Sequence, residues 1–393
     1  MDYIDENGLS NHKFIVFSQD HYNPLNLIRS LGEKGIKPIS IVYGSHKWMI
    51  PYCRYIGTIH NVKTLEEGYR ILIEKYGDED YKPFVLCSDD LTTSYLDRHY
   101  EELIAKFYFY NAGEHERLIW LQNKDNITTL ASQVGILSPK KEVVETGVLP
   151  QKLSYPIMTK TLSSTMGAWK GDVFVCYNKK ELEKAYNKIK SPKLILQEFI
   201  KKKGEFCIEG FSVNDGTDVY IPYRIDYIRY YIDSYGHYMT VKVFEDDELR
   251  KKIVELMKLT RFNGIFELEF MLGPNDEVFF LEINFRSSTW AFALTVGGCN
   301  MPYLWAKSTL LGRIPYKEIC IEKESFTAMQ EPDDFSLSVI KYKMVKLSQW
   351  LKEVRRCKCH YFYNKKDKSP FFHYIFFRVK KHIENSIGIT LKV

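Results

Sequence analysis

The segment ending in Glu282-Ile283-Asn284-Phe285-Arg286 constrains this chain more than any other. It follows a second strand-like run, Glu267-Leu268-Glu269-Phe270-Met271, and a Gly273-Pro274-Asn275-Asp276 turn. Two such runs around a short turn read as a β-hairpin. Side chains alternate along a strand, so Glu282, Asn284 and Arg286 share one face. With a four-residue turn, Leu272 faces Glu277, Glu267 faces Glu282 and Glu269 faces Phe280, which adds both acids to that face. The acids lie among Phe266, Leu268, Phe270, Phe279, Phe280 and Leu281. Apolar neighbours of this kind imply a buried hairpin, where unpaired charge is costly. A divalent cation resolves the cost, because magnesium takes hard oxygen ligands from one or two carboxylates together with nucleotide phosphates, and an adjacent Arg suits a phosphate or a second anion. The competing reading is an exposed hairpin whose Glu and Arg side chains form ordinary ion pairs.

At 393 residues the chain is long enough for about two to three domains. Hydrophobic residues at 45% and charged residues at 27% suit a soluble globular protein. No apolar run approaches the roughly 18 residues needed to span a bilayer, and the first residues lack a basic segment followed by an apolar one. The expected location is therefore the cytoplasm. Eight cysteines are scattered without a CxxC pair, as expected for reduced core residues, and Cys357-Lys358-Cys359-His360 offers too few ligands for a metal site by itself. His21, His46, His115 and His237 are expected in packing or surface roles.

Along the chain, Lys13 to Phe17 is a short apolar strand, Leu25 to Leu31 a helix, and Pro38 to Val42 and Pro83 to Cys87 further strands. Alternating strands and helices imply a small parallel sheet covered by helices, with ligands beyond the carboxyl ends of the strands. Ser18-Gln19-Asp20 and Ser88-Asp89-Asp90 occupy those ends, either as substrate contacts or as helix caps. The first strand is not followed by GxGxxG, so nothing supports a nicotinamide cofactor. A helix follows from Asn123 to Leu137. Next comes a strand from Tyr155 to Lys160, then a loop from Thr161 to Gly171 whose small residues and backbone N–H groups suit a phosphate. The strand Val173 to Cys176, a helix from Lys180 to Ile189 and the strand Leu194 to Ile200 lead into another strand, Glu205 to Val213. The aromatic run Arg224 to Tyr231 is either a surface strand with stray arginines or a place where Arg224 or Arg229 meets an anionic substrate.

In this order, the Asn123-Lys124 helix, the Tyr155-Pro156-Ile157-Met158-Thr159-Lys160 strand with its glycine loop, the Gln197-Glu198-Phe199-Ile200 segment with Glu205, and the hairpin resemble the ATP-grasp ligases, over roughly Lys13 to Gly312. D-alanine-D-alanine ligases, D-aspartate ligases and biotin carboxylases are of this kind. The resemblance implies a mixed α/β and α+β fold: a small parallel-sheet domain over residues 1–112, a two-subdomain ATP-grasp unit over 113–320 with a lid near 155–200, and an extension over 321–393. It also implies ATP and magnesium, with manganese as a substitute. Lys160 resembles the lysine on the α and β phosphates, Lys124 the lysine at the cleft edge, and Gly167 part of the lid. Glu198, Phe199 and Ile200 resemble the segment that meets adenine, and Glu205 the acid on the ribose hydroxyls. By its Leu-Glu-Phe context Glu269 resembles the first metal carboxylate, with Glu282 and Asn284 as the remaining ligands. Arg286 resembles the arginine at the transferring phosphate or the substrate carboxylate. The family's first βα turn is often glycine-rich, whereas here it is Ser18-Gln19-Asp20-His21-Tyr22-Asn23. The implied activity is ADP-forming ligation of a carboxylate to an amine, such as an amino acid, through an acyl phosphate, with a cell-envelope or polysaccharide precursor as the acceptor. The alternative is a nucleotide-binding module that has lost turnover.

The net charge of +5 is unevenly spread, with fourteen Lys or Arg against three Asp or Glu after residue 334. Cations mixed with aromatics suit the inner face of an anionic membrane or a polyanionic substrate. They equally suit a helical extension that packs on the core and exposes its lysines. Nucleic acid fits less well, because the first 334 residues are net acidic.

Overall fold

The apolar run Phe14-Ile15-Val16-Phe17 is buried at every position, as a central parallel strand must be when helices cover both faces. In the computed structural model, which describes residues 8–44, 48–162, 169–231 and 235–387, this run opens β1 (Phe14–Gln19). With β2 (Ile39–Tyr43), β3 (Thr58–Asn61), β4 (Phe84–Leu86) and β5 (Tyr108–Phe109) it forms a parallel sheet in the order β3-β2-β1-β4-β5. Asp89 caps the helix Asp90–Arg98, its carboxylate accepting from the Thr92 N–H at 2.8 Å. Asp20 accepts the N–H groups of Met49 and Ile50 at 3.0 and 2.9 Å and so shapes the segment after β2.

The helix Lys124–Gln133 stops short of Leu137 because Gly135 turns the chain with φ +75°, which costs glycine little. Beyond it, β6 (Lys141–Glu145), β7 (Ile157–Lys160), β8 (Val175–Cys176) and β9 (Lys193–Glu198) make an antiparallel sheet in the order β6-β9-β7-β8. Ile157, Leu182, Leu194 and Leu196 belong to a small core separate from the main one.

The large sheet holds β10 (Gly204–Val213), β11 (Asp218–Tyr227), β12 (Tyr238–Val243), β13 (Gly264–Leu272), β14 (Val278–Asn284), β15 (Phe326–Met329) and β16 (Cys359–His360). Their order is β14-β13-β10-β11-β12-β15-β16, antiparallel except for the last pair. Its core is continuous with that of the parallel sheet. The aromatic run is therefore no surface strand: β11 lies between β10 and β12, with Tyr223 and Ile225 buried. Arg229 is buried too, pairing with Asp334 at 2.5 Å and with Glu353, so it is committed to structure. The C-terminal segment is woven into the body. It supplies β15 and β16, and Asp367 accepts from the buried Arg29 Nε at 2.9 Å. Cys357 and Cys359 are buried, and the Cys357 thiol donates to the carbonyls of Thr327 and Cys359.

Candidate active site

The hairpin turn is one residue longer than the sequence suggested, since Leu272 pairs with Val278. That register, continued, would place Glu269 opposite Leu281 and put the acids of β13 on the other face from Glu282 and Asn284. Instead Phe270 pairs with Phe280 but Glu269 with Glu282 and Glu267 with Asn284, so Leu281 is an extra residue. This β-bulge resets the alternation. The expected convergence of Glu267, Glu269, Glu282 and Asn284 therefore occurs, through different pairs from those a regular four-residue turn would make.

Within the cluster the Asn284 amide cross-links the acids, its Nδ2 donating to Glu267 Oε2 at 2.9 Å and to Glu269 Oε1 at 3.1 Å. Its Oδ1 accepts from Arg286 Nη2 at 3.2 Å. Burial raises the pKa of both acids, and at Glu269 the nearby carboxylates of Glu282 and Glu267 raise it further. Glu282 is held below the usual carboxylate range by Lys124, its ion-pair partner. Burial opposes the charge on Lys124, yet Glu282, Glu269 and Asp90 outweigh it and its pKa rises. Lys124 is the first residue of its helix, held there by the Asn123 cap and by its own N–H, which donates to the Leu162 carbonyl at 2.9 Å. That bond ties the helix to the chain just beyond β7. Lys160 ends β7 across from the hairpin, and burial together with Lys124 lowers its pKa to about 8, while Glu282, Glu269 and Glu205 act the other way.

Between the four-stranded sheet and the hairpin runs a narrow cleft lined by Lys124, Lys141, Lys160, Gln197, Phe280 and the bulged Leu281, among others. At its edge Glu205 pairs with Lys202 at 2.7 Å. The N–H groups of Glu198 and Phe199 already donate to the carbonyls of Lys140 and Pro156 at 2.9 and 3.0 Å, so a base bound beside this segment meets other main-chain groups. Gly167 lies outside the described residues, as does His46.

The structure brings further residues to the site. Asp90, which the sequence offered as a substrate contact or a helix cap, accepts from Arg286 Nε at 2.6 Å, so the first residue of the helix after β4 orients the arginine. Burial opposes the Arg286 charge, but Asp90, Glu267 and Asp89 more than compensate and raise its pKa. His21 caps the helix Tyr22–Glu33 and lies close enough to Arg286 that burial and this neighbour lower its pKa to about 4. Fully buried Glu209 pairs across the ladder with Glu267, and burial and that carboxylate raise its pKa well above the usual range. The alternation Glu205-Cys207-Glu209 carried the signal for Glu209, whereas nothing local marked His21. Arg224 does not reach into this group, since it pairs with Asp226 at 2.6 Å and covers the Phe206 ring at 3.6 Å.

The donor set suits a hard cation. Glu269 and Glu282 offer carboxylate oxygens and Asn284 an amide oxygen, and burial leaves Glu269 short of positive charge. Among the described residues no three acidic, histidine or cysteine side chains form a metal site unaided. A cation here would complete its shell from phosphate oxygens, as magnesium commonly does.

No family model matches the chain. Its fold is similar to that of L-amino acid ligase from Bacillus licheniformis, with TM-score 0.61 and 14% identity over 82% of this chain and 80% of that one. It is similar also to N5-carboxyaminoimidazole synthetase from Staphylococcus aureus, with TM-score 0.62 and 13% identity over 84% and 86% of the two chains. Biotin carboxylase from Campylobacter jejuni aligns with TM-score 0.63 and 16% identity over 81% and 75%. At these identities the likeness defines the fold alone, which this chain shares with these three enzymes.

Proposed function

We propose that this chain is an ATP-dependent ligase that joins a carboxylate to an amine with release of ADP and phosphate. The observation that supports this most is the bulge at Leu281, which gathers Glu269, Glu282 and Asn284 on one face beside Lys124 and Arg286 and opposite Lys160. A hairpin serving stability alone gains nothing from bringing Glu267, Glu269 and Glu282 together on one face.

In this reading Lys160 and Lys124 hold the nucleotide phosphates from the two sides of the cleft. Arg286, oriented by Asp90, meets the transferring phosphoryl group or the acceptor carboxylate. Glu269, Glu282 and Asn284 would hold a divalent cation, which would supply positive charge against the nucleotide phosphates. The γ-phosphoryl group moves to a carboxylate oxygen of the substrate and ADP departs. The amine then attacks the acyl carbon and phosphate leaves with the carboxylate oxygen. Glu198, Phe199 and Ile200 flank the adenine and Glu205 the ribose. An amino acid is the proposed amine and a uronic-acid or cell-envelope precursor the proposed carboxylate, in the cytoplasm.

The test is ADP release screened over pairs of amino acids and uronic acids. Glu282→Ala should release ADP on the order of 100- to 1,000-fold more slowly than the wild type, the usual consequence of removing one group that stabilises transition-state charge. Wild-type protein without magnesium-dependent ATP affinity would refute the reading.

A further inference from the structure

The helix Ser369–Ile387 has an apolar side that nothing in the described chain covers. Phe372, Ile375, Phe376, Val379 and Ile383 recur at helical spacing and form one stripe, with Phe372 60%, Phe376 58% and Val379 53% exposed. The opposite side packs on the body: Tyr374 lies 4.7 Å from Phe362 by ring centres, His373 stacks on Tyr52, and Phe377 stacks on Trp48. The outward stripe is thus a second apolar face, and a helix needs only one to dock on its own domain.

We infer that this stripe is an interfacial membrane-binding surface for anionic lipid. Two observations select that occupant. At 100° per residue the exposed Arg378 falls on one flank of the stripe, and Lys365, Lys366 and Lys368 are exposed immediately before the helix, whereas Lys380 on the other flank is mostly covered and pairs with Glu384. Apolar side chains rimmed by cations match a bilayer whose hydrocarbon lies under anionic headgroups. A second copy of the same surface would set the cationic rims against each other. The helix lies on the membrane rather than through it, since among the described residues no helix is long and apolar enough to cross one. The helix also leans on Trp48 to Tyr52, the segment whose N–H groups Asp20 binds at the carboxyl edge of the parallel sheet. Docking therefore holds that edge, where Asp90 meets Arg286, toward the bilayer and suits an acceptor carried on a lipid. This corollary rests on the proposed ligase activity, whereas the docking itself does not.

The experiment is co-sedimentation of the full chain with phosphatidylcholine vesicles and with vesicles containing phosphatidylglycerol, at low and high salt. The wild type should bind the anionic vesicles and lose affinity as salt rises. The Phe376→Ser, Val379→Ser double variant should bind them about tenfold or more weakly, and Lys365→Glu, Lys366→Glu, Lys368→Glu should abolish the preference for phosphatidylglycerol. Both variants should keep the wild-type Tm and oligomeric state, because the changed side chains are exposed. Failure of the wild type to bind at low salt, or unchanged binding by the double variant, overturns the proposal. So does a dimer that the serine substitutions dissociate, which would make a second copy the occupant. Sedimentation needs no turnover, so its failure is distinguishable from failure of the ligase reading.

Discussion

Lys160 shows how a single residue type can be legible while its state is not. A lysine at the end of a strand before a glycine-containing loop was identifiable from the residues, but its pKa of about 8 comes from burial and from Lys124, which approaches from a different element. The sign of the consequence follows directly. Lys160 is charged below about pH 8 and neutral above it, so the affinity of the protein for magnesium-ATP should fall as pH rises through this value. Titration of nucleotide affinity from pH 7 to pH 10 in about half-unit steps checks this, and Lys160→Arg, whose charge persists over that range, should flatten the profile. Arg286 makes the complementary case. Its Nε donates to Asp90 while its Nη2 donates to Asn284, so its planar fork is used in two directions. Arg286→Lys keeps the charge but cannot make both bonds in that geometry, and kcat should fall by about tenfold or more with little change in Tm.

Among the elements, the two bulges are what periodicity failed to reveal. In β14 the extra residue is Leu281, and in β11 the ladder slips between the pairs Glu209–Tyr223 and Phe211–Tyr220. The second has a local cause, because Pro222 has no N–H to donate to a central ladder and a bulge accommodates it. Gly210 sits opposite, where an added Cβ would lie 2.3 Å from the Tyr220 carbonyl oxygen and 2.5 Å from Ile221 Cγ2. Gly210→Ala should therefore cost about 1–3 kcal/mol, read as a lower urea midpoint with little change in m-value. The strands and the polar positions in them were legible from alternation. Their register was not, because one residue in a loop or a bulge inverts every face that follows.

For the molecule as a whole, the C-terminal segment is a structural component. Arg29 is fully buried and donates to Asp367, to the Asn26 side chain and to the carbonyls of Tyr361, Phe362 and Asp367. Arg29→Met leaves a buried carboxylate and these acceptors without their cation, so it should cost about 3–5 kcal/mol. Thermal unfolding followed by circular dichroism measures the loss, and a Tm unchanged from wild type would mean that the tail contributes nothing to stability. Asp334 anchors the same segment through Arg229, Tyr231 and Trp350.

Taken alone, the sequence determined β1, β2, β4, β7 to β10 and the β13–β14 hairpin, the residue types at the cleft and the cationic, aromatic character of the tail, because each is written locally, whereas β3, β5, β6, β12, β15 and β16 were not legible in it. The tertiary structure alone decided that Glu269 faces Glu282, that Asp90 orients Arg286, and that the basic tail both extends the large sheet and turns an apolar stripe outward. These depend on loop length, a bulge and contacts between residues far apart in the chain. Local periodicity carries no information about such contacts, since they are set by which surfaces can be buried together.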